Sequence, residues 1–330
     1  MMKAVTDSNF HGSKCVVTGA AGFIGSHLVD RLLTEGALVT GVDNLLTGRK
    51  QNLTDAEAKP GFTFLESDVS QPEYLDQVGE FDYFFHLASP ASPPFFQTYP
   101  LEIISVNTDG NRHALAHIKS HNPQARYLFA GTSEAYGDPL VHPQPETYWG
   151  NVNPNGVRSC YDESKRLGET ICGVYEREFN LDVRIIRIFN TYGPRINPED
   201  KRAVPEFVRL ALLNQPLTIF GDGAQTRSFC YISDLINGIL AVMSSDQARG
   251  ETFNFGNPDE RSVLEVADQI NDLTGNQAGT ENLPLPEDDP ARRQPDITKA
   301  ERILGWQPEV DFETGLKLTI AHFEQTEQLS

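Results

Sequence analysis

The sequence predicts an α/β protein: a doubly wound parallel sheet followed by a smaller C-terminal α/β domain. Three observations carry this reading. Apolar strand-like runs alternate with helix-periodic segments from Lys14 to Ile188, and that alternation implies parallel strands with helices on both faces. A glycine-rich turn, Gly19-Ala20-Ala21-Gly22-Phe23-Ile24-Gly25, separates the first strand from the first helix. After about residue 190 the alternation gives way to short elements among Pro and Gly, as in FNTYGPR, FGDGAQTR and LPLPEDDPARRQP.

In chain order, Lys14–Thr18 reads as the first strand. Phe23 to Thr34 has helical spacing, with Ile24, Leu28, Leu32 and Leu33 on one face. Ala37–Val42, Phe62–Leu65 and Tyr83–Leu87 follow as strands, then a helix near 101–121. Tyr127–Ala130 is a buried strand that ends in Thr132-Ser133-Glu134. A helix near 161–179 and a strand Val183–Ile188 complete the pattern. The acidic, Pro-rich stretch 283–295 reads as a possible linker, although it carries Arg292 and Arg293.

Composition narrows the function. The 330 residues carry a formal net charge of −19, with 39% apolar and 22% charged residues. A soluble globular protein fits, while nucleic-acid binding, which needs a basic footprint, does not. No apolar run approaches the roughly 18–20 residues that span a bilayer, and the first residues lack the apolar stretch of a signal peptide. Cys15, Cys160, Cys172 and Cys230 form no C-x-x-C pair, so reduced thiols in a cytoplasmic protein are expected and no zinc-site spacing appears. His113, His117 and His121 recur on one helical face, which reads as a solvated or subunit-facing stripe rather than a metal site.

The glycine turn points to a dinucleotide. Gly19, Gly22 and Gly25 allow a tight turn and close approach of backbone to phosphate, and the helix opening at Phe23 and Ile24 turns its N-terminus toward a pyrophosphate. Asp43 ends the second strand, where a carboxylate binds the adenosine ribose and disfavours the extra phosphate of NADP. NAD is therefore the expected cofactor. Asn44, Thr47 and Gly48 follow as further cofactor contacts. Asp68 and Val69 suit the adenine edge, and Leu87, Ala88 and Ser89 suit the ribose and nicotinamide side. The nucleotide domain is expected over 13–190, with part of 226–256 added to it, and a mainly substrate-binding domain over 191–330.

Cys160-Tyr161-Asp162-Glu163-Ser164-Lys165 opens a helix, so Tyr161 and Lys165 lie one turn apart on one face. A tyrosine is a poor base at neutral pH, but a nearby ammonium and a positive nicotinamide ring favour its phenolate. Tyr161 is then a base for a substrate hydroxyl during hydride transfer, with Lys165 on the nicotinamide ribose. Glu134, at a buried strand end, needs a partner or a task.

Together these features resemble the extended short-chain dehydrogenase/reductase family. HLASPASPP (86–94), TSEAYGDPLVHPQPETYWGNVNP (132–154), CYDESKR (160–166), RIFNTYGPR (187–195), GAQTRSF (223–229) and DDPARRQPD (288–296) are similar to its UDP-glucuronate decarboxylases. Ser105 departs from the pattern, standing where some relatives carry Lys. The resemblance implies a Rossmann domain, a UDP-sugar substrate and a homodimer through the helices near 101–121 and 161–179. It also implies decarboxylation through a 4-keto intermediate with NAD regenerated. Thr132 and Ser133 would donate hydrogen bonds, Glu134 would position water or act as the acid at C5, and Arg227 would meet the substrate carboxylate or diphosphate. Asn190, Thr191, Arg202, Tyr231 and Arg293 would contact cofactor or nucleotide, and Leu217, Thr218 and Phe220 would border the uracil. Three alternatives stand beside this. A 4,6-dehydratase usually has Asp-Glu after the Thr, where Ser133-Glu134 stands here. A 4-epimerase usually lacks the Glu. A non-catalytic NAD-binding protein would not need Thr132, Tyr161 and Lys165 intact.

Overall fold

The computed structural model describes residues 10–285 and 292–326. The nucleotide half runs β1 (Lys14–Thr18), α1 (Phe23–Thr34), β2 (Leu38–Asp43), α2 (Thr54–Glu57), β3 (Phe62–Glu66), α3 (Leu75–Val78) and β4 (Tyr83–His86). It continues with α4 (Pro93–Thr98), α5 (Pro100–Ser105), α6 (Asn111–His121), β5 (Arg126–Thr132), α7 (Ser159–Phe179) and β6 (Asp182–Ile188). Beyond these lie β7 (Thr191–Tyr192), α8 (Ala203–Leu212), β8 (Leu217–Phe220), β9 (Thr226–Ser228), β10 (Cys230–Tyr231) and α9 (Ile232–Ser244). The chain ends with β11 (Thr252–Phe255), β12 (Glu260–Ser262), α10 (Val263–Thr274), β13 (Thr280–Leu283), β14 (Arg292–Arg293), α11 (Thr298–Leu304) and α12 (Phe312–Thr326).

The main sheet has seven strands in the order β11-β6-β5-β4-β1-β2-β3, and every pairing within it is parallel. Strand order reverses between β1 and β4, and ligands of such sheets bind at that switch point, beyond the carboxyl ends of the strands. The two faces follow the period of two along each strand. Cys15 and Val17 join Phe85, Leu128, Ile186 and the apolar faces of α1 and α9 in one core. Val16 joins Phe84, Tyr127, Phe129 and residues of α6 and α7 in the other. The central strand β5 is buried on both sides and is apolar nearly throughout.

The expected helix near 101–121 is not continuous. α5 and α6 are separated by a π-helical turn over Val106–Gly110, preceded by the separate short α4. The turn aims two buried asparagines at neighbouring elements. Asn107 donates to the Ser164 hydroxyl at 3.0 Å. Asn111 donates to the Gly168 carbonyl at 2.9 Å and accepts from Tyr127 at 2.7 Å. Such side-chain bonds compete with regular helical pairing, which periodicity alone does not reveal.

The C-terminal excursions form small sheets over the strand ends: β12-β9-β14, β10-β7 and β13-β8. Within the stretch 283–295 read as a possible linker, Arg292 and Arg293 form β14 and pair in parallel with Thr226 and Arg227 of β9; residues 286–291 lie outside the described residues.

Candidate active site

A cleft of about 1040 Å³ lies over the carboxyl ends of β1, β4 and β5, closed from the other side by α8, β8, β9 and β14. Its floor is the glycine turn. Gly19 adopts φ +70°, and a Cβ there would sit 2.9 Å from the Ala88 backbone. A Cβ on Gly25 would meet the Gly19 carbonyl at 2.0 Å. Thr18 supports the same corner by accepting from the Leu87 and Ala88 N–H groups, each at 3.2 Å.

Asp43 ends β2 at the rim. It accepts from the Ala21 N–H at 2.9 Å and the Leu45 N–H at 2.8 Å, which leaves lone pairs on both oxygens for a ribose diol. Burial raises its pKa, and those two backbone bonds oppose the rise. Gly48 must lack a side chain, since its Cβ would lie 2.8 Å from the Asp43 carboxylate.

Gly22, Phe23, Ile24, Asn44, Thr47, Asp68, Val69, Leu87, Ala88 and Ser89 line the same cleft, together with Asn190, Thr191 and Arg202. Glycines that a Cβ would fill, a carboxylate at the second strand end and a helix N-terminus facing the cleft fit a dinucleotide.

At the end of β5 stand Thr132, Ser133 and Glu134, all lining the cleft opposite Tyr161 and Lys165. Tyr161 is buried and hydrogen-bonded to Thr132. Burial pushes its pKa up to about 12, with Glu134 adding to the rise and Thr132 and Arg202 opposing it. Lys165 donates to the Ala130 carbonyl at 2.8 Å, and its ammonium lies 5.8 Å from the Tyr161 ring centre. Burial pulls its pKa down to about 7, with the nearby Glu169 carboxylate opposing the fall. The tyrosine of the protein alone is thus a weaker acid than a free one, because desolvation outweighs the Thr132 hydrogen bond and the Arg202 charge.

Glu134 is held in a cluster of ion pairs. Arg293 bonds both of its carboxylate oxygens, and Arg158 pairs with it at 2.8 Å. Burial alone would raise its pKa, but the two guanidinium groups outweigh this and hold it at about 2. An anion so held keeps its negative charge at neutral pH, which favours the water-positioning half of the expectation for Glu134 over the acid half. Asp162, buried beside this cluster, is pushed the other way, up to about 7, first by burial and then by the Glu134 charge.

Other expected residues fall in mixed places. Arg227 lines the cleft on β9, opposite Arg293 in the strand register, and donates to the Thr226 carbonyl at 2.8 Å. It is Arg293 that reaches Glu134. Thr218 and Phe220 line the cleft, but Leu217 does not: it is fully buried in the core, because alternation along β8 turns it away. Tyr231 is likewise withdrawn, its ring 5.7 Å from that of Tyr192 in the cap core. Arg202 is anchored by Asp200, its Nη2 at 2.6 Å, and Asp200 accepts in turn from the Ser92 hydroxyl at 3.2 Å. Sequence reasoning passed over Arg158, Thr18, Asp200 and Phe96. Arg158 alone left a signal, standing three residues before Tyr161, one helical turn away.

A parallel sheet with a glycine phosphate turn, an acidic second strand end and a Thr-Tyr-Lys set defines a nucleotide-dependent dehydrogenase-type enzyme. Residues 15–256 match the NAD dependent epimerase/dehydratase family, and the chain belongs to that family. It is 49% identical to UDP-glucuronic acid decarboxylase 2 of Arabidopsis thaliana over 95% of this chain and 69% of the relative. Against UDP-glucuronic acid decarboxylase 1 of Danio rerio it is 46% identical, over 94% of this chain and 73% of the relative. Among solved structures it superposes on UDP-glucuronic acid 4-epimerase from Bacillus cereus, in complex with UDP-glucuronic acid and NAD. That match has a TM-score of 0.87, 30% identity, and covers 94% of this chain and 99% of the other.

Proposed function

We propose that this protein is a UDP-glucuronate decarboxylase, converting UDP-glucuronate to UDP-xylose and carbon dioxide with NAD as a regenerated cofactor. The observation that carries the reading is the pair Arg158 and Arg293, converging on Glu134 beside Tyr161. Two guanidinium groups against one carboxylate leave the cluster with a net positive charge at the reacting end, which suits a sugar that carries a carboxylate. The decarboxylase relatives support it.

Tyr161 takes the proton of the sugar 4-hydroxyl. NAD, when bound, supplies the acceptor for the C4 hydride and later returns it. With a ketone at C4, the substrate carboxylate is β to a carbonyl, and the C5–carboxyl bond breaks to release carbon dioxide. The electron pair passes into an enolate whose oxygen accepts hydrogen bonds from Thr132 and Ser133; such donors are worth about 3–4 kcal/mol each. Glu134, fixed as an anion, orients a water, and C5 takes up one proton from solvent. Tyr161 then returns its proton to O4. Arg293 stays on Glu134, and Arg227, which lines the cleft, meets the substrate carboxylate or diphosphate.

The 4-epimerase in the same fold shows that architecture alone does not choose the reaction. Dehydration is disfavoured because Ser133 is a poor acid for a leaving hydroxyl. We further place the protein in the cytoplasm as a homodimer. Its four cysteines are free thiols, and no helix among the described residues is long and apolar enough to cross a membrane. Leu101 and Ile104 of α5 and Leu167, Val174 and Phe179 of α7 leave large apolar groups exposed, which supports pairing through these helices. The deciding test is incubation of purified protein with UDP-glucuronate and product NMR without added reductant. UDP-xylose is expected; unchanged substrate with NAD bound would sink the assignment.

A further inference from the structure

The segment HLASPASPP lines the cleft, with Leu87 to Ser89 on the nucleotide side and Pro90, Ala91, Pro93 and Pro94 beyond them, while Ser92 is buried. The prolines and Ser92 also fix the chain that follows. They deliver Phe96. Pro93 and Pro94 open α4, preset for a helical start, and the Phe95 N–H closes the first turn on the Ser92 carbonyl at 2.9 Å. The Ser92 hydroxyl is tied to Asp200, the anchor of Arg202. Phe96 thus leaves this turn from a fixed backbone.

Its ring lies flat on Tyr161, with centroids 4.9 Å apart and planes 16° from parallel. Both are buried, at 5% and 7% exposure, in a small cluster with Ile103. The Arg158 guanidinium stands 5.6 Å from the Phe96 ring centre, so one ring touches both the base and a member of the Glu134 cluster. The Cys160 thiol donates to the Phe96 carbonyl at 3.5 Å, closing the contact beside Tyr161.

We infer that Phe96 is a positioning residue for Tyr161: its ring sets the plane of the phenol and keeps water from its face. The inference rests on Tyr161 being the base. A tyrosine has a broad torsion about its ring axis, and the hydroxyl end is held only through Thr132, so the stack defines where the ring lies. The two effects of Phe96 oppose each other. Holding the ring raises the rate of proton transfer, and excluding water makes the phenol harder to ionise. The charged groups that face Tyr161 are Glu134 after β5, Arg202 before α8, and Asp162 and Lys165 on α7 itself; α4 contributes no charge.

The test is the pH dependence of kcat and kcat/KM for Phe96→Leu, Phe96→Ala and Phe96→Tyr, with NAD affinity measured alongside. Loss of the flat ring is expected to lower the plateau kcat about 10- to 100-fold, the scale of small misplacements at a reacting centre. KM and NAD affinity stay near wild type, the acid limb moves to lower pH, further in Phe96→Ala, and Phe96→Tyr restores the plateau. A wild-type plateau and limb in Phe96→Leu would overturn the inference. So would a lowered plateau with an unmoved limb, or a failure of Phe96→Tyr to restore it. If Phe96→Ala does not fold, Phe96→Leu and Phe96→Tyr still decide. Wild-type turnover in Tyr161→Phe would remove the base assignment itself, a different failure.

Discussion

Arg293 binds both oxygens of Glu134, although the two residues lie 159 positions apart in the chain. Glu134 lies in the short turn that follows β5 beside the base, while Arg293 belongs to a two-residue strand in the C-terminal excursions. The contact joins the sheet half to the cap half at the point where the chemistry takes place. It also turns a costly buried carboxylate into part of a charge cluster with Arg158.

Replacing Arg293 with Ala should cost stability as well as activity. Breaking one partner of a buried ion pair costs about 3–5 kcal/mol, and because Arg158 still faces Glu134 the loss should fall at the low end of that range. Urea unfolding at neutral pH checks it. Turnover should fall by at least about 100-fold, as expected for lost stabilisation of a reacting charge, with NAD affinity unchanged.

Glu134 also gives a signed pH dependence. Its folded pKa is depressed to about 2, below the ordinary glutamate value of about 4.3. Its contribution to stability is therefore complete above the ordinary value and is lost as pH falls through the window toward 2. Wild type and Glu134→Gln should differ most in unfolding free energy near neutrality and converge in acid. A difference that stayed constant down to pH 3 would show that the carboxylate charge is not what stabilises.

The readable parts of this molecule are those set by neighbours in sequence. The glycine turn, Asp43 at a strand end and Tyr161 with Lys165 one turn apart are local patterns, and their places in the cleft follow from strand and helix periods. The resemblance named the segments that carry Leu217 and Tyr231, but it could not say that both side chains are buried away from the cleft lining. The Glu134–Arg293 contact and the stack of Phe96 on Tyr161 depend on how distant segments meet. Nothing in the spacing of residues 96, 134, 161 and 293 encodes that meeting. The π turn at Val106–Gly110 was hidden for a related reason: it exists to aim Asn107 and Asn111 at α7, a tertiary need.

The glycine turn predicts a selective defect. A Cβ at Gly25 would stand 2.0 Å from the Gly19 carbonyl, a distance that only backbone movement relieves. Gly25→Ala should therefore displace the turn and lower NAD affinity by at least about tenfold, or about 1.4 kcal/mol, measured by equilibrium titration. Because the displaced backbone is the phosphate cradle, the loss of NAD affinity should exceed the loss expected from any change in the fraction folded, which urea unfolding of the same variant measures.

Tyr161 supplies the last prediction. In the protein alone, burial lifts its pKa to about 12, and Lys165, itself pulled down to about 7, is only partly protonated near neutrality. A base working near neutral pH must ionise far more readily than that. The positive nicotinamide ring of NAD favours the phenolate, so NAD binding should lower the tyrosine's pKa. Proton release should then accompany NAD binding at any pH between the bound and free values. By linkage, NAD affinity should rise with pH across the same window. Calorimetric titration of NAD in buffers of different ionisation heat measures the released protons. Tyr161→Phe should abolish both that release and turnover, the latter by about 100-fold or more as for a lost general base, while still binding NAD. Equal proton release in wild type and Tyr161→Phe would mean that another group carries the linked proton, and Tyr161 would lose its place as the base tuned by the cofactor.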